Sequence, residues 1–401
     1  MTRPSPPSEL ADAPPIEAIV ALTRELVRIP SRGEEDSPAQ IINAIAQWLT
    51  NHGLAPNVLA SADGNRLAVV TTIEGHHDGP TFCLDACLDT APFGNLDAWD
   101  TPPTEPHESD GWLVGRGAAD SKAAVATFAH LAAELQQTAS ALHGRLLVLF
   151  DADEHTGHFA GVKTFVQEYP NVDGAMIGYP GNDRVIVGAR GFYRATITVH
   201  GVGGHSGGRT SLTQNAIHKT ARLVDAIDQA ALPDAHDPDF QLSPSIAATR
   251  IAGGSSFSMT PDTCLVDVDV RLTPHFTAAD ARALLVDAIA KVDAARPGIT
   301  AATLHEKETW PAYRLPPDSP VASALLHAAR EHHEPNTDLA VCGPSNIGNL
   351  FAAHGIPATC GFGASYRNLH APNEAVELRT LASVYRVYRR AIERLLIPAD
   401  Q

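Results

Sequence analysis

Residues 81–92 read TFCLDACLDTAP, and residues 145–155 read RLLVLFDADEH. Each stretch begins with a run of mostly apolar residues and ends in acidic side chains. Such runs are typical of central strands that are covered on both faces by helices. Acidic residues directly after such strands lie at the carboxyl edge of the sheet, where binding sites assemble in α/β proteins. The two stretches therefore predict an α/β fold with a functional site at this edge.

Helices are predicted on the chain segments around these strands. Apolar residues recur at helical spacing over 16–29 and 39–54, and residues 121–135 form a helical pattern of mostly small side chains. Strands that alternate with helices indicate a sheet with helices packed on it. The same alternation of helices and apolar strands returns after residue 319 and ends in a predicted helix that reaches Leu396.

The pattern changes in the middle of the chain, where strands with alternating polarity replace the apolar ones. Strands are predicted over 193–200, 245–251 and 263–272, and helices over about 215–231 and over 278–294. This order predicts an inserted α+β domain with an antiparallel sheet. The predicted division is a disordered lead-in (1–15), a discontinuous catalytic domain (16–190 and 305–401) and the inserted domain (191–304).

Composition and charge exclude several classes of protein. The 401 residues are 44% hydrophobic and carry a formal net charge of −17. Such a charge disfavours nucleic acid and anionic membranes as partners. No run approaches eighteen apolar residues, and the N-terminal segment lacks the apolar core of a signal peptide. The five cysteines are widely spaced with no CxxC pair, which predicts a reducing compartment, the cytoplasm.

Four short motifs carry the chemistry. They read ACLDTAP at 86–92, GRGAADSK at 115–122, DEHTG at 153–157 and HAPNE at 370–374. In this order and at these separations they resemble the M20 family of zinc-dependent peptidases and deacylases, whose motifs are GHxDxxP, GRGxxDxK, DEExG and HxPxE. The resemblance covers essentially the whole chain. It implies a zinc-peptidase-like catalytic domain with a mixed sheet between helices, and a lid or dimerisation role for the inserted domain.

The resemblance also implies roles for individual residues. Asp120 would be the carboxylate shared by two metal ions, and His370 a terminal metal ligand. Glu154 would be the general base that takes a proton from the attacking water. Asp89 would orient the first ligand from behind. His205, in the segment GGHSGGR at 203–209, would reach into the active site of a partner subunit and polarise the scissile carbonyl.

Three of the usual metal-ligand positions differ from the family pattern. The first histidine is replaced by Cys87, the second glutamate by His155, and a further carboxylate by Tyr179. One metal position would then depend on a cysteine and a neutral tyrosine, which is a poor zinc ligand. The other retains Asp120, His155 and His370, a good catalytic zinc set that also suits non-haem iron. We therefore predict an enzyme with one metal ion, zinc being the first candidate, and leave open that no ion is bound.

Substrate contacts are predicted less specifically. Arg271 follows a strand and could bind a substrate carboxylate through two hydrogen bonds, although an exposed structural arginine is an equal alternative. The other candidates are Tyr179 as a pocket wall, Arg209 and Asn215 beside the glycine-rich segment, and Asn346 at the pocket edge.

Three functions are compatible with these residues. The leading hypothesis is hydrolysis of the amide bond in an N-acyl amino acid or small peptide, by water that Glu154 activates. A second is metal-independent acyl transfer or hydrolysis with Cys87 as nucleophile and His155 as its base. A third is a non-catalytic descendant of the family that binds a ligand or partner in the cleft where family members hold their substrate. The family resemblance favours a homodimer formed through the inserted domain.

Overall fold

The computed structural model describes residues 13–208, 213–233 and 239–398. By its backbone contacts the chain divides into two compact units. Unit 1 comprises Met1–Val187, Leu315–Ala340 and His354–Gln401, and unit 2 comprises Gly188–Arg314 and Val341–Ala353. Most of the predicted lead-in, residues 1–12, lies outside the described residues.

The described residues form these elements. The helices are α1 (Ile16–Val27), α2 (Ala39–Asn51), α3 (Ala123–Gln137), α4 (Ala160–Glu168), α5 (Ala216–Asp228), α6 (Ala278–Ala294), α7 (Pro320–His332), α8 (Ile347–Ala353) and α9 (Leu381–Leu396). The first eight strands are β1 (Pro56–Ala60), β2 (Arg66–Glu74), β3 (His77–Cys87), β4 (His107–Ser109), β5 (Trp112–Val114), β6 (His143–Asp151), β7 (Gly174–Ile177) and β8 (Arg184–Ala189). Then follow β9 (Gly191–His200), β10 (Gly204–His205), β11 (Ser245–Gly253), β12 (Met259–Thr260), β13 (Thr263–Leu272), β14 (Thr303–Trp310), β15 (Tyr313–Arg314), β16 (Asp338–Cys342), β17 (Ala358–Thr359), β18 (Tyr366–Arg367) and β19 (Ala375–Glu377).

A six-stranded mixed sheet forms the centre of unit 1, in the order β1-β2-β6-β3-β7-β17. Strand β3 runs parallel to β6 and β7, whereas β1 and β2 are antiparallel to their neighbours. The residues from Phe82 to Cys87 are all buried, as the apolar run predicts for a central strand. The predicted α/β class with a mixed sheet and flanking helices is confirmed.

The parallel strands fix where three loops meet. Because β6, β3 and β7 are neighbours with the same direction, their carboxyl ends lie side by side at one edge of the sheet. The segments that follow them are 152–157 after β6, 88–92 after β3 and 178–181 after β7. Acidic and histidine side chains on these loops are thereby brought together.

A second, smaller sheet of unit 1 joins two distant parts of the chain. Its order is β18-β19-β5-β4, and Ala375 of β19 pairs with Val114 of β5. The residues just beyond this pair are also joined, because the backbone N–H of Gly115 donates to the carbonyl oxygen of Glu374 at 2.9 Å. The second and fourth motifs are therefore adjacent in space although some 250 residues separate them in sequence.

Unit 2 is an α+β unit with an antiparallel sheet in the order β11-β13-β9-β14. Inward side chains of β9 and β13 alternate with more exposed ones and pack against α5 and α6 in a common core. This architecture confirms the predicted antiparallel α+β insert. The predicted insert was 191–304. Unit 2 instead comprises Gly188–Arg314 together with the separate segment Val341–Ala353. Helix α8 is attached there through Asn349, whose side-chain amide donates to the carbonyl oxygens of Arg190 and Pro311.

Candidate active site

Asp89 organises the loop that follows β6. Its Oδ1 accepts a hydrogen bond from the backbone N–H of Glu154 at 3.0 Å, and its Oδ2 accepts one from the N–H of His155 at 2.8 Å. The carboxylate is buried, with 3% of its side chain exposed. Because both bonds go to the backbone, Asp89 fixes the positions from which Glu154 and His155 project.

Asp120 and His370 meet through the second and fourth motifs. Asp120 lies in an irregular turn, Ala118–Lys122, that leads into α3. Its Oδ2 is 3.0 Å from Nε2 of His370, and its Oδ1 accepts a hydrogen bond from the hydroxyl of Ser121. The side chain of His370 is 55% exposed, whereas that of Asp120 is 7% exposed. One side of this pair is therefore open to solvent.

A buried ion pair holds the turn of Asp120 against the loop of His370. Nη1 of Arg116 is 2.6 Å from Oε2 of Glu374, and each side chain is 1% exposed. Nη2 of Arg116 also donates to the carbonyl oxygen of His370, while Oε1 of Glu374 accepts from the N–H groups of Ala119 and Asp120. Sequence reasoning quoted both residues in their motifs but gave them no role. Their opposite charges were the feature of the sequence that could have indicated an ion pair between the two motifs.

His155 lies between two groups of ligand atoms. Its Nδ1 is 3.3 Å from Oδ2 of Asp89 and from Oε2 of Glu154, and its Nε2 is 3.6 Å from Oδ2 of Asp120. Both ring nitrogens are buried, and neither has a hydrogen-bond partner. Burial lowers the pKa of His155, but the carboxylates of Glu154 and Asp89 outweigh that effect and raise the pKa above its usual value.

Two sets of three side chains therefore have metal-ligand spacing among the described residues. The outer set consists of Asp120, His155 and His370, and the inner set of Cys87, Asp89 and His155. Within each set, one ligand atom from every member lies within 4.8 Å of the others. Cys87 thus groups with Asp89 and His155, whereas the sequence had placed it with Asp120 and Tyr179.

Glu154 lies beside the outer set, and 13% of its side chain is exposed. Burial raises the pKa of this carboxyl to about 7, although the imidazole of His155 acts in the opposite direction. The hydroxyl of Tyr179 donates a hydrogen bond to its Oε1 at 2.8 Å. The backbone of Tyr179 packs against a second loop, because a Cβ at Gly363 would lie 2.2 Å from the carbonyl oxygen of Tyr179. The sequence predicted Tyr179 near the site, and its bond to Glu154 was missed.

Cys87 does not have the surroundings of a thiol nucleophile. The residue is 1% exposed, and burial together with Asp120 and Glu154 raises the pKa of its thiol well above the usual value. Reactive cysteines have lowered pKa values and some exposure to solvent. The metal-independent hypothesis is therefore not favoured by this geometry.

The remaining candidates belong to unit 2 or lie outside the described residues. His205 is exposed on β10, and its Nδ1 accepts a hydrogen bond from the N–H of Gly207, which leaves the proton on Nε2. Asn215 caps α5 through its side-chain oxygen. Nε of Arg271 lies 2.7 Å from Oδ1 of Asp269. Asn346 is buried, and its side-chain amide donates a hydrogen bond to Sγ of Cys342. Arg209 is outside the described residues.

Within the described residues, no helix has the length and apolar character that crossing a membrane requires.

Comparisons with known proteins agree with the motifs and the fold. A relative from Bordetella petrii, succinyl-diaminopimelate desuccinylase, is 28% identical over 391 residues and covers 95% of this chain and 98% of its own. The crystal structure of the aminopeptidase PepT from Bacillus cereus matches with a TM-score of 0.75 at 20% identity, covering 96% of this chain and all of that one. An M20 family metallo-carboxypeptidase from Sulfolobus solfataricus also matches with a TM-score of 0.75, at 16% identity, over 94% and 98% of the two chains.

The model of peptidase family M20/M25/M40 matches residues 83–394, which include all four motifs. The chain therefore belongs to this family, and it is an amidohydrolase of the M20 type.

Proposed function

We propose that this protein hydrolyses the amide bond of an N-acyl amino acid or a small peptide with one divalent metal ion, zinc being the first candidate. The ion would be held by the outer set of Asp120, His155 and His370. The observation that carries the proposal is the outer set itself, with the buried carboxyl of Glu154 beside it.

The outer set fits a divalent ion by its chemistry. Two imidazoles and one carboxylate are ligands that zinc accepts in catalytic sites, with a further position left for water or substrate. The side chain of His370 is 55% exposed, so water and substrate can reach the outer set. The buried Nε2 of His155, with no hydrogen-bond partner 3.6 Å from Asp120, is a polar atom that such an ion would satisfy. When bound, the ion would act as a Lewis acid on the scissile carbonyl and the attacking water.

Glu154 is the general base of the proposed reaction. A base works best when its pKa lies near the working pH, and burial places that of Glu154 at about 7. Its carboxylate would take a proton from the attacking water and pass it to the leaving nitrogen. The hydroxyl of Tyr179 orients Oε1, and Oε2 lies 3.3 Å from Nδ1 of His155.

The names of the relatives support the proposed substrate class. The name of the Bordetella petrii relative describes removal of a succinyl group from an amino acid, and the two matched structures are of peptidases. An N-acyl amino acid or small peptide is common to these reactions. Arg271 and Asn346 remain proposed substrate contacts in unit 2. The five cysteines all lie among the described residues without a disulfide, which supports a reducing compartment such as the cytoplasm.

We retain a homodimer and an active role for His205 as part of the proposal. His205 presents a protonated Nε2 at an exposed position, as a donor to a developing oxyanion requires. If His205 acts on the partner subunit, a mixture of Glu154→Gln and His205→Ala chains should regain activity that neither variant has alone. Mixed dimers with no regained activity would contradict this part.

The central experiment is metal depletion followed by reconstitution. The metal-free protein is assayed on N-acetyl and N-succinyl amino acids and on dipeptides, before and after the addition of zinc, cobalt or manganese, with bound metal counted by mass spectrometry. We expect activity to return with one ion per chain. Asp120→Asn should lose both the ion and the activity, and Glu154→Gln should keep the ion while losing about 10²–10⁴-fold in kcat. Full activity in a strong chelator, or a requirement for two ions, would refute the proposal.

A further inference from the structure

The inner set of Cys87, Asp89 and His155 is a second group with metal-ligand spacing, and His155 is the one member that the proposed reaction uses as a ligand. It differs from the outer set in exposure. The side chains of Asp89 and His155 are 3% and 5% exposed, and Cys87 is 1% exposed. Closed sites of this kind hold ions that take no part in catalysis, because no position is left for substrate.

The two sets compete for a single imidazole. His155 faces Asp89 with Nδ1 and Asp120 with Nε2. A neutral imidazole carries its proton on one nitrogen and a lone pair on the other, so it can bind a metal ion through only one of them. Both ring nitrogens face carboxylates, and neither forms a hydrogen bond of good geometry in the described structure, so each nitrogen is available to an ion on its own side.

The ligand chemistry of the two sets selects different ions. The inner set contains the sulfur of Cys87, and soft thiolate ligands favour zinc and other thiophilic ions. The outer set contains only nitrogen and oxygen ligands, which also accept harder ions such as manganese. Glu154 adds a further oxygen near the inner set, with Oε2 3.3 Å from Nδ1 of His155.

We propose that the inner set is an inhibitory site for one soft divalent ion, which takes His155 away from the outer set. As Sγ of Cys87 and Nδ1 of His155 bind the ion, the thiol proton and the proton on Nδ1 are released to solvent, and the imidazole keeps its proton on Nε2. The catalytic ion then loses one of its three ligands, so the chain holds one ion at a time in either set. The consequence for activity rests on the proposed function, whereas binding at the inner set does not.

Cadmium(II) is the probe for this site, because its bond to a thiolate gives an ultraviolet charge-transfer absorption. Metal-free full-length protein is titrated with cadmium, and bound metal is counted by mass spectrometry. We expect one equivalent with the thiolate band. Cys87→Ser should lose the band and bind cadmium at least about 100-fold more weakly. Cys83→Ser is the matched control, since Cys83 is a buried cysteine on the same strand, and it should retain both.

Competition between ions tests the shared imidazole. Protein loaded with cobalt(II) should release one cobalt for each cadmium bound, and it should lose its activity in parallel. Cys87→Ser should resist this inhibition relative to its own activity without cadmium. Simultaneous binding of both ions, or a thiolate band that survives in Cys87→Ser, would overturn the inner site.

The outcomes separate this inference from the proposed function. A Cys87-dependent cadmium band in a protein that no ion activates would retain the inner site and reject the proposed reaction. Activation by zinc, cobalt or manganese with no Cys87-dependent band would do the reverse.

Discussion

His155 stands where the resembled family has a glutamate, and its environment depends on contacts between three loops. Asp89 fixes its backbone and faces its Nδ1, while Asp120 faces its Nε2. A histidine ligand oriented by a carboxylate behind it is a common second layer of metal sites. The resemblance assigned Asp89 to orient the ligand at position 87, and the structure places its oxygens on the loop of Glu154 and His155 instead.

The members of the outer set could be predicted from the sequence, but their contacts with neighbouring loops could not. Asp120 and His370 lie in intact motifs, so their place in the site follows from the family pattern alone. The bond between Tyr179 and Glu154 joins two loops whose course no spacing rule determines. The pairing of Cys87 with Asp89 and His155 likewise depends on the direction of side chains at the end of β3.

At Tyr179, replacing the hydroxyl tests whether the residue positions the base or binds substrate. Tyr179→Phe removes the hydroxyl that donates a hydrogen bond to Oε1 of Glu154. A hydrogen bond to a charged group contributes about 1.5–3 kcal/mol, so kcat should fall roughly 10–100-fold with KM unchanged. Tyr169→Phe, at a surface tyrosine bonded to Asn57, should leave both constants unaltered. A raised KM at normal kcat would identify Tyr179 as a substrate contact instead.

Among the elements, those with strong periodicity were predicted best. Strand β13 and helix α6 have the predicted bounds, because alternating or helical apolar spacing persists over ten or more residues. The hairpin β4–β5 was missed, since it consists of two three-residue strands within a proline-rich segment. Strand β7 has only four residues, and its strand character comes from its place beside β3.

The link between β19 and the turn before α3 depends on Glu374. Glu374→Gln would leave the buried guanidinium of Arg116 without its counter-charge. Breaking a buried pair in this way costs about 3–5 kcal/mol of unfolding free energy, measurable by urea denaturation. Glu377→Gln on the same strand is the control, because its partner Arg379 is 84% exposed and the expected loss is below about 1 kcal/mol. Equal losses in the two variants would contradict the role given to Glu374.

Helix α3 also carries a half-buried histidine that should make stability depend on pH. His130 packs edge-on against Trp48 of α2 and lies near His52, which follows α2, and burial lowers its pKa from 6.5 to about 4. The unfolded chain then binds a proton below about pH 6.5, whereas the folded chain binds it only below about pH 4. Stability should therefore fall as the pH decreases through this window.

The measurement compares thermal or urea unfolding of the natural chain and His130→Gln at pH 7.5 and pH 4.5. The natural chain should lose more stability on acidification than the variant does. Identical losses would show that His130 is charged at no cost in the folded protein.

For the whole molecule, the division into two units predicts where a metal ion acts. Every member of the outer and inner sets belongs to unit 1. An ion at 100 times its dissociation constant stabilises the state that binds it by about 2.7 kcal/mol. Hydrogen exchange should therefore slow in 85–92, 115–122 and 150–157, and peptides from α5 and α6 should be unchanged. A chelator should reverse the effect, and equal protection of α5 and α6 would count against it.

The discontinuous plan of the chain was predicted from the return of apolar strands and helices after the insert. The segment 341–353 was assigned to the catalytic part, and the structure includes it in unit 2. A short segment of this kind has no periodicity of its own to indicate which unit it joins. Its placement depends on hydrogen bonds of Asn349 to residues far away in sequence.

The buried ion pair between Arg116 and Glu374 has a consequence for the synthesis of the protein. Its two halves are 258 residues apart, and β19 completes a sheet that β4 and β5 begin. Asp120 is synthesised 250 residues before His370, so a nascent chain that has not reached His370 lacks one member of the outer set. The second sheet, in which β19 pairs with β5, likewise forms only after residues 375–377 have been made.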